Sequence, residues 1–273
     1  MCGRYVMARA TSDLVALGDA ETNEELVLRQ SWNVAPTAEV PILVAHADDV
    51  GAGVTRRIHV ARWGLVPPWA KELSVGSRAF NARSETVASK PTFRAAVRAR
   101  RCAVPVEGYY EWKTPEPGAK GPDGRAAKKQ PYYVHPAGAG DGEGPVIWFA
   151  GLYEWWQDPE AKAAGEDAWV LSTTILTMAA PDADDDDPVL AALGQLHDRL
   201  PVPMDAETMD RWLAPDTLGS AEEADALVGE VCAGAYDVAA GWSLRPGEGA
   251  VGNVRNNGPE LIQEMREQQG TLL

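Results

Sequence analysis

The chain has 273 residues, of which 45% are hydrophobic and 24% charged, and its net charge is −15. That composition is ordinary for a soluble globular protein long enough to bury a sizeable core. No apolar run approaches the ~20 residues of a membrane span, and the opening MCGRYVMARAT lacks the apolar centre of a secretory signal, so the cytoplasm is the expected location. Three cysteines (Cys2, Cys102, Cys232) make too sparse and odd a set for a disulfide framework. They have no CxxC spacing, and the four histidines have no HxxxH or HxH grouping, so no metal site is expected.

The acidity opposes nucleic-acid binding overall, because such binding draws on a basic footprint. The charge is uneven, however. Asp182 and Asp184 to Asp187 form an acidic cluster, whereas Arg94, Arg98, Arg100 and Arg101 crowd one short stretch and Arg56, Arg57 and Arg62 another.

In chain order, runs rich in β-branched and aromatic residues predict strands at 40–45, 58–63, 102–106, 131–135, 146–153 and 169–177. Pro91 is expected to open a helix with Phe93, Ala96 and Val97 as its buried stripe. Arg94, Arg98 and Arg101 then form a solvent-facing basic edge. Asp205 is expected to cap a helix carrying Met209, Trp212 and Leu213. Ser220 and Glu223 read as a capping box before Ala224, Leu227, Val228 and Val231, with Gly234 as the stop. Segments 114–130, 137–144 and 180–194, rich in Pro, Gly or acid, read as loops. Together these predict an α+β fold: a single mixed domain, 1–263, with a large, mainly antiparallel β-sheet system and flanking helices. The chain is expected to loosen from about Gly258, with 264–273 as a tail.

Five places carry chemistry. Removal of Met1 leaves Cys2 with an α-amine and a thiol on adjacent carbons; these groups titrate near ~7.7–8 and ~8.5. The amine can form a Schiff base with an aldehyde, and the thiol can close a thiazolidine ring on it. Taken alone, Cys2 reads first as a buried thiol of an N-terminal strand. Asn81 and Arg83 sit in a polar run, one able to donate and accept, the other offering a fork suited to phosphate. Glu111 lies between Tyr110 and Trp112, where aromatic surroundings favour a general acid; Glu107, on the same face of the predicted strand, is its rival. His197, followed by Asp198 and Arg199, is the histidine in polar, potentially catalytic company and is suited to proton transfer near neutrality. Trp69 lies on a loop stiffened by Pro67 and Pro68, where an exposed ring can stack on a base.

Seven segments occur in a telling order: MCGRY, Trp32-Asn33-Val34-Ala35-Pro36, Arg62-Trp63-Gly64-Leu65-Val66-Pro67-Pro68-Trp69, Asn81-Ala82-Arg83-Ser84-Glu85-Thr86, the stretch from Glu107 to Lys113, Leu196-His197-Asp198-Arg199-Leu200-Pro201, and Val251-Gly252-Asn253-Val254-Arg255-Asn256. In this the chain resembles the SRAP (SOS response-associated peptidase) family over nearly its whole length. The resemblance implies a mixed domain with a positively charged DNA cleft, acting as a monomer without cofactor on single-stranded DNA that contains abasic sites. It implies Cys2 as nucleophile, Asn81 near the amine, Glu111 rather than Glu107 as the acid–base group, and His197 beside the aldehyde. It also implies Arg4, Asn33, Trp69, Arg83 and Arg255 as DNA-binding residues. The strong acidity and the length of loops 114–130 and 180–194 depart from the pattern. Competing expectations are an N-terminal-cysteine hydrolase or autopeptidase, and a noncovalent single-strand binder.

Overall fold

A computed structural model describes residues 2–21, 26–47, 53–121, 123–138 and 144–263. The first half holds strand β1 (Tyr5–Met7), helix α1 (Thr11–Leu17), and strands β2 (Ser31–Val34), β3 (Glu39–Ala47), β4 (Val54–Trp63) and β5 (Asn81–Arg83). Helix α2 (Arg94–Ala99) leads into β6 (Arg101–Val106), β7 (Gly108–Lys113), β8 (Gln130–Pro136) and β9 (Ile147–Gln157). After α3 (Pro159–Ala163) come β10 (Trp169–Ala179), α4 (Pro188–Leu196), β11 (Arg199–Pro201) and β12 (Pro203–Met204). Helices α5 (Ala206–Leu213), α6 (Ala221–Ala233) and α7 (Ala235–Ala239) precede the last strand, β13 (Trp242–Pro246).

The strands form two sheets. An antiparallel sheet of five runs β13-β8-β7-β1-β2. The other runs β11-β10-β4-β3-β6-β9-β12, and an added β9–β10 ladder closes its middle strands on themselves. Among the described strands, β10 runs parallel to β4 and to β5, and the other strand pairs are antiparallel. The enclosed strands read as continuous apolar runs because they are buried on both faces: Val40 to Ala45 and Arg101 to Val106 are buried throughout. The mixed α+β architecture and all six predicted strands are present. No helix among the described residues is long and apolar enough to cross a membrane.

Three expectations are corrected. Arg101 is not on a solvent edge; it is 4% exposed. Its guanidinium donates to the carbonyls of Val97 and Arg98 near the end of α2, of Trp212 in α5, and of Ala214 and Asp216 beyond it. Helix ends leave carbonyls without intrahelical partners, and one buried fork satisfies two such ends. Arg98 likewise donates to Leu218 O and Gly219 O, so only Arg94 of the three stays exposed. Arg101→Met should therefore lower unfolding free energy by about 3 kcal/mol, since it leaves several buried carbonyls unpaired; urea unfolding checks this.

The second correction concerns segment 180–194, which is not all loop. Asp187 accepts from Val189 N and Leu190 N at 2.8 and 3.0 Å, Pro188 takes the first helical position, and α4 follows. Third, the chain does not loosen at Gly258: Leu261 and Ile262 are buried against Val6, Tyr110 and Tyr133. The predicted tail, 264–273, lies outside the described residues, as does 139–143 of the loop predicted at 137–144.

Candidate functional site

Each sheet contributes two of the four predicted reactive residues. In the five-stranded sheet, Tyr5 pairs with Tyr109 and Tyr110 N donates to Arg4 O at 2.9 Å. Continuing that register toward the N-terminus brings Gly3 opposite Glu111, with Cys2 next to it. Cys2 is 1% exposed. Burial pushes its thiol well up, and the Glu111 carboxylate pushes it further. Glu111 is itself buried, and its Oε1 accepts from Trp112 N at 3.2 Å. Glu107 does not share its strand: it lies at a bend between β6 and β7, accepts from Ala8 N at 2.5 Å and stands 3.8 Å from Arg9.

The other pair hangs on β10. Its C-terminal half binds β5 on one side (Ile175 to Asn81, Thr177 to Arg83) and β11 on the other (Thr177 to Pro201, Ala179 to Arg199). One strand thus carries Asn81 on one flank and, just before β11, His197 on the other. Asn81 Nδ2 donates to Cys2 O at 2.8 Å, which joins the two sheets at Cys2. Asn81 Oδ1 is buried with no hydrogen-bond partner among the described residues. His197 Nε2 stands 4.0 Å from Glu111 Oε1.

Two neighbours make opposite demands on His197 Nδ1. Arg199 N donates to it at 3.0 Å, which requires a lone pair, while Asp198 Oδ1 at 2.7 Å requires a proton. Asp198 is 83% exposed and its pull is screened by water, whereas the backbone donor is fixed by the β10–β11 ladder. A neutral ring that accepts from Arg199 N has its proton on Nε2, the nitrogen 4.0 Å from Glu111 Oε1.

Two side chains that sequence reading passed over hold this frame. Arg199 grips Glu85 through both nitrogens (2.5 and 3.0 Å) and donates to Thr177 O, clasping the Asn81 segment to the His197 segment across β10. That contact holds the Glu85 carboxyl below its usual range. Trp156, 3% exposed, donates its indole N–H to Ala70 O at 2.8 Å and packs with Val66 and Ala70 under the Trp69 loop. The alternation of β9 hinted at it, since Trp155 and Trp156 must face opposite ways.

Trp69 is 61% exposed. It lines a cavity of about 750 Å³ with Asn81, Arg78, Lys90 and Phe93. The loop bearing it closes where two glycine backbones meet: Gly64 has φ +129°, and a Cβ there would lie 2.5 Å from Gly76 O. Arg83 is exposed on β5. Arg4 and Asn33 are placed differently. Arg4 Nη1 donates to Asn33 Oδ1 and Val251 O, and the Asn33 amide donates to the carbonyls of Val251, Asn253 and Asn256. Both residues thereby hold the segment carrying Arg255, whose own side chain is exposed. His46 and His59, given no role from sequence, meet across β3 and β4 with their Nε2 atoms 3.1 Å apart, and burial lowers both pKa values.

Comparison with known proteins follows this geometry. The model of the family described as SOS response associated peptidase (SRAP) matches residues 1–240. A relative from Bacillus subtilis (strain 168), "Abasic site processing protein YoqW", is 29% identical over 272 residues, covering 96% of this chain and 99% of its own. "Abasic site processing protein HMCES" of Rattus norvegicus is 26% identical over 258 residues, covering 85% of this chain and 64% of its own. A crystal structure of a Bacteroides thetaiotaomicron protein shares the fold, with a TM-score of 0.69 at 20% identity over 97% of this chain and 100% of that one. With its family motifs threaded through both sheets and the match running from residue 1 to 240, this chain belongs to the SOS response associated peptidase (SRAP) family.

Proposed function

We propose that this protein captures abasic sites in single-stranded DNA by a covalent thiazolidine link to Cys2, formed once Met1 is removed. The observation that carries the reading is the junction of the two sheets: Asn81 bound to Cys2 O, with the Glu111–His197 pair beside the same residue. The homologues named as abasic site processing proteins support the substrate class.

The abasic sugar is a cyclic hemiacetal, and it must open before it can react. His197 and Glu111 assist by moving a proton between the ring oxygen and the anomeric hydroxyl, breaking the C1–O4 bond to give the aldehyde. The freed Cys2 amine donates one hydrogen bond to Asn81 Oδ1, a buried acceptor that lacks one, and is thereby oriented. Its lone pair attacks C1. An amine proton passes to the new oxygen, Glu111 carries a second proton in from solvent to the resulting hydroxyl, which leaves as water, and an iminium forms. The thiol then adds Sγ to C1 and its proton passes through Glu111 to the solvent, leaving a neutral five-membered ring. Trp69 stacks on a flanking base, and the cations around its cavity take phosphates. The protein works as a monomer, in the cytoplasm and at the nucleoid when DNA is damaged.

The test is intact mass before and after exposure to an abasic single strand. The expected result is loss of Met1 beforehand and, afterwards, the mass of protein plus oligonucleotide less one water. Processed protein that gains no mass would sink the reading and leave a noncovalent binder.

A further inference from the structure

The long loop between β7 and β8 remains unused by the site. Residues 113–129 carry five cations (Lys113, Lys120, Arg125, Lys128, Lys129) against two carboxylates (Glu116, Asp123), a net +3 in a chain of −15. All five cations are exposed. Among the described residues, the one ion pair that any of them makes is Arg125 to Asp123, 3.9 Å apart and largely in water, where such contacts are worth little.

The loop is nonetheless built. Gly121 N donates to Arg125 O, Gly124 N to Gly121 O and Ala127 N to Ala119 O; Lys120 and Ala126 bridge, and Gly118 and Gly124 turn at positive φ. Lys113 and Gln130 pair at its base. Its place matters most. Glu111 and Lys113 stand two residues apart on β7 and so share one face. The loop therefore leaves the sheet at the Cys2 end, about 7 Å along the strand from the carboxylate. It contains no aromatic residue on which a base could stack, which leaves phosphate as the part of a nucleic acid it can recognise.

We infer that this basic hairpin loop is an auxiliary clamp on the phosphate backbone of the DNA strand flanking the reactive site. It supplies positive charge locally that the chain lacks overall. The inference rests on the DNA reading above and deepens it.

The probe is a fluorescein-labelled 20-nucleotide single strand bearing a tetrahydrofuran abasic analogue, which has no aldehyde and so reports binding alone. The variant combines Lys120→Glu, Arg125→Glu, Lys128→Glu and Lys129→Glu in the full chain, with thermal unfolding confirming an intact fold. Anisotropy at 50 mM salt should show affinity falling roughly 30-fold or more, and the slope of log K against log salt should lose about 3, at ~0.7 per single-strand contact. The cross-linking rate at saturating true abasic DNA should not change. Unchanged affinity overturns the inference and leaves the cations to some other acidic partner. A loss of affinity without a loss of slope also overturns it. Should wild-type protein bind the probe with the predicted loop dependence yet never cross-link, the clamp stands and the covalent reading alone fails.

Discussion

A chain extended by a tag ahead of Met1 is expected to form no adduct with abasic single-stranded DNA, against near-complete conversion of the processed protein. The tag keeps the Cys2 nitrogen in an amide, whose lone pair is delocalised into the carbonyl and cannot attack an aldehyde. The thiol cannot substitute for it. Burial and the Glu111 charge both raise its pKa, so its thiolate is scarce at neutral pH, and a hemithioacetal formed by a thiol alone reverses readily. Cys2→Ser separates the two halves of the nucleophile. Given Met1 removal, it should retain an imine that borohydride traps, while losing the adduct that survives denaturation without reductant. Denaturing gels with and without reductant read both outcomes. A stable adduct from the tagged chain would mean that another group is the nucleophile.

Glu111→Gln is expected to slow cross-linking at saturating DNA by about 10²–10⁴-fold, the usual worth of a positioned acid–base group. Glutamine keeps the size of the side chain and can still accept from Trp112 N, so packing is preserved and only proton transfer is lost. Removing a negative charge beside a polyanion should leave noncovalent affinity for the tetrahydrofuran analogue equal or higher. The same change removes the carboxylate that raises the Cys2 thiol, so the thiol pKa should move down. Slower cross-linking with undiminished binding thus identifies proton transfer. Wild-type cross-linking by the variant would leave His197 as the proton carrier.

Sequence patterns read well wherever a local rule governs the outcome. Capping residues made α5 and α6 legible: Asp205 accepts from Thr208 N, and Ser220 accepts from Glu223 N. The apolar runs of β3, β6 and β9 were legible because strands buried on both faces leave little room for polar residues. The same local reading missed α4, where the acidic cluster obscured an Asp-Pro helix start. It also misread Arg101, because a basic residue at helical spacing looks solvated until other helix ends are brought to it.

The candidate site divides along the same line. Sequence alone determined which side chains were candidates: a cysteine that Met1 removal would turn into an aminothiol, a carboxylate among aromatics, a histidine followed by Asp198 and Arg199, an asparagine, and a tryptophan on a proline-stiffened loop. These are properties of side-chain chemistry and nearest neighbours. Only the tertiary structure decided that Asn81 reaches Cys2 O, that β10 holds Asn81 and His197 on its two flanks, and that Glu107 is occupied by Ala8 N. It also turned Arg4 and Asn33 toward the Arg255 segment and placed the basic loop at the Cys2 end of β7. Several of those facts depend on contacts between residues far apart in sequence, 79 positions for Asn81 to Cys2 and 247 for Arg4 to Val251. No local pattern encodes such contacts; strand register and the meeting of two sheets do.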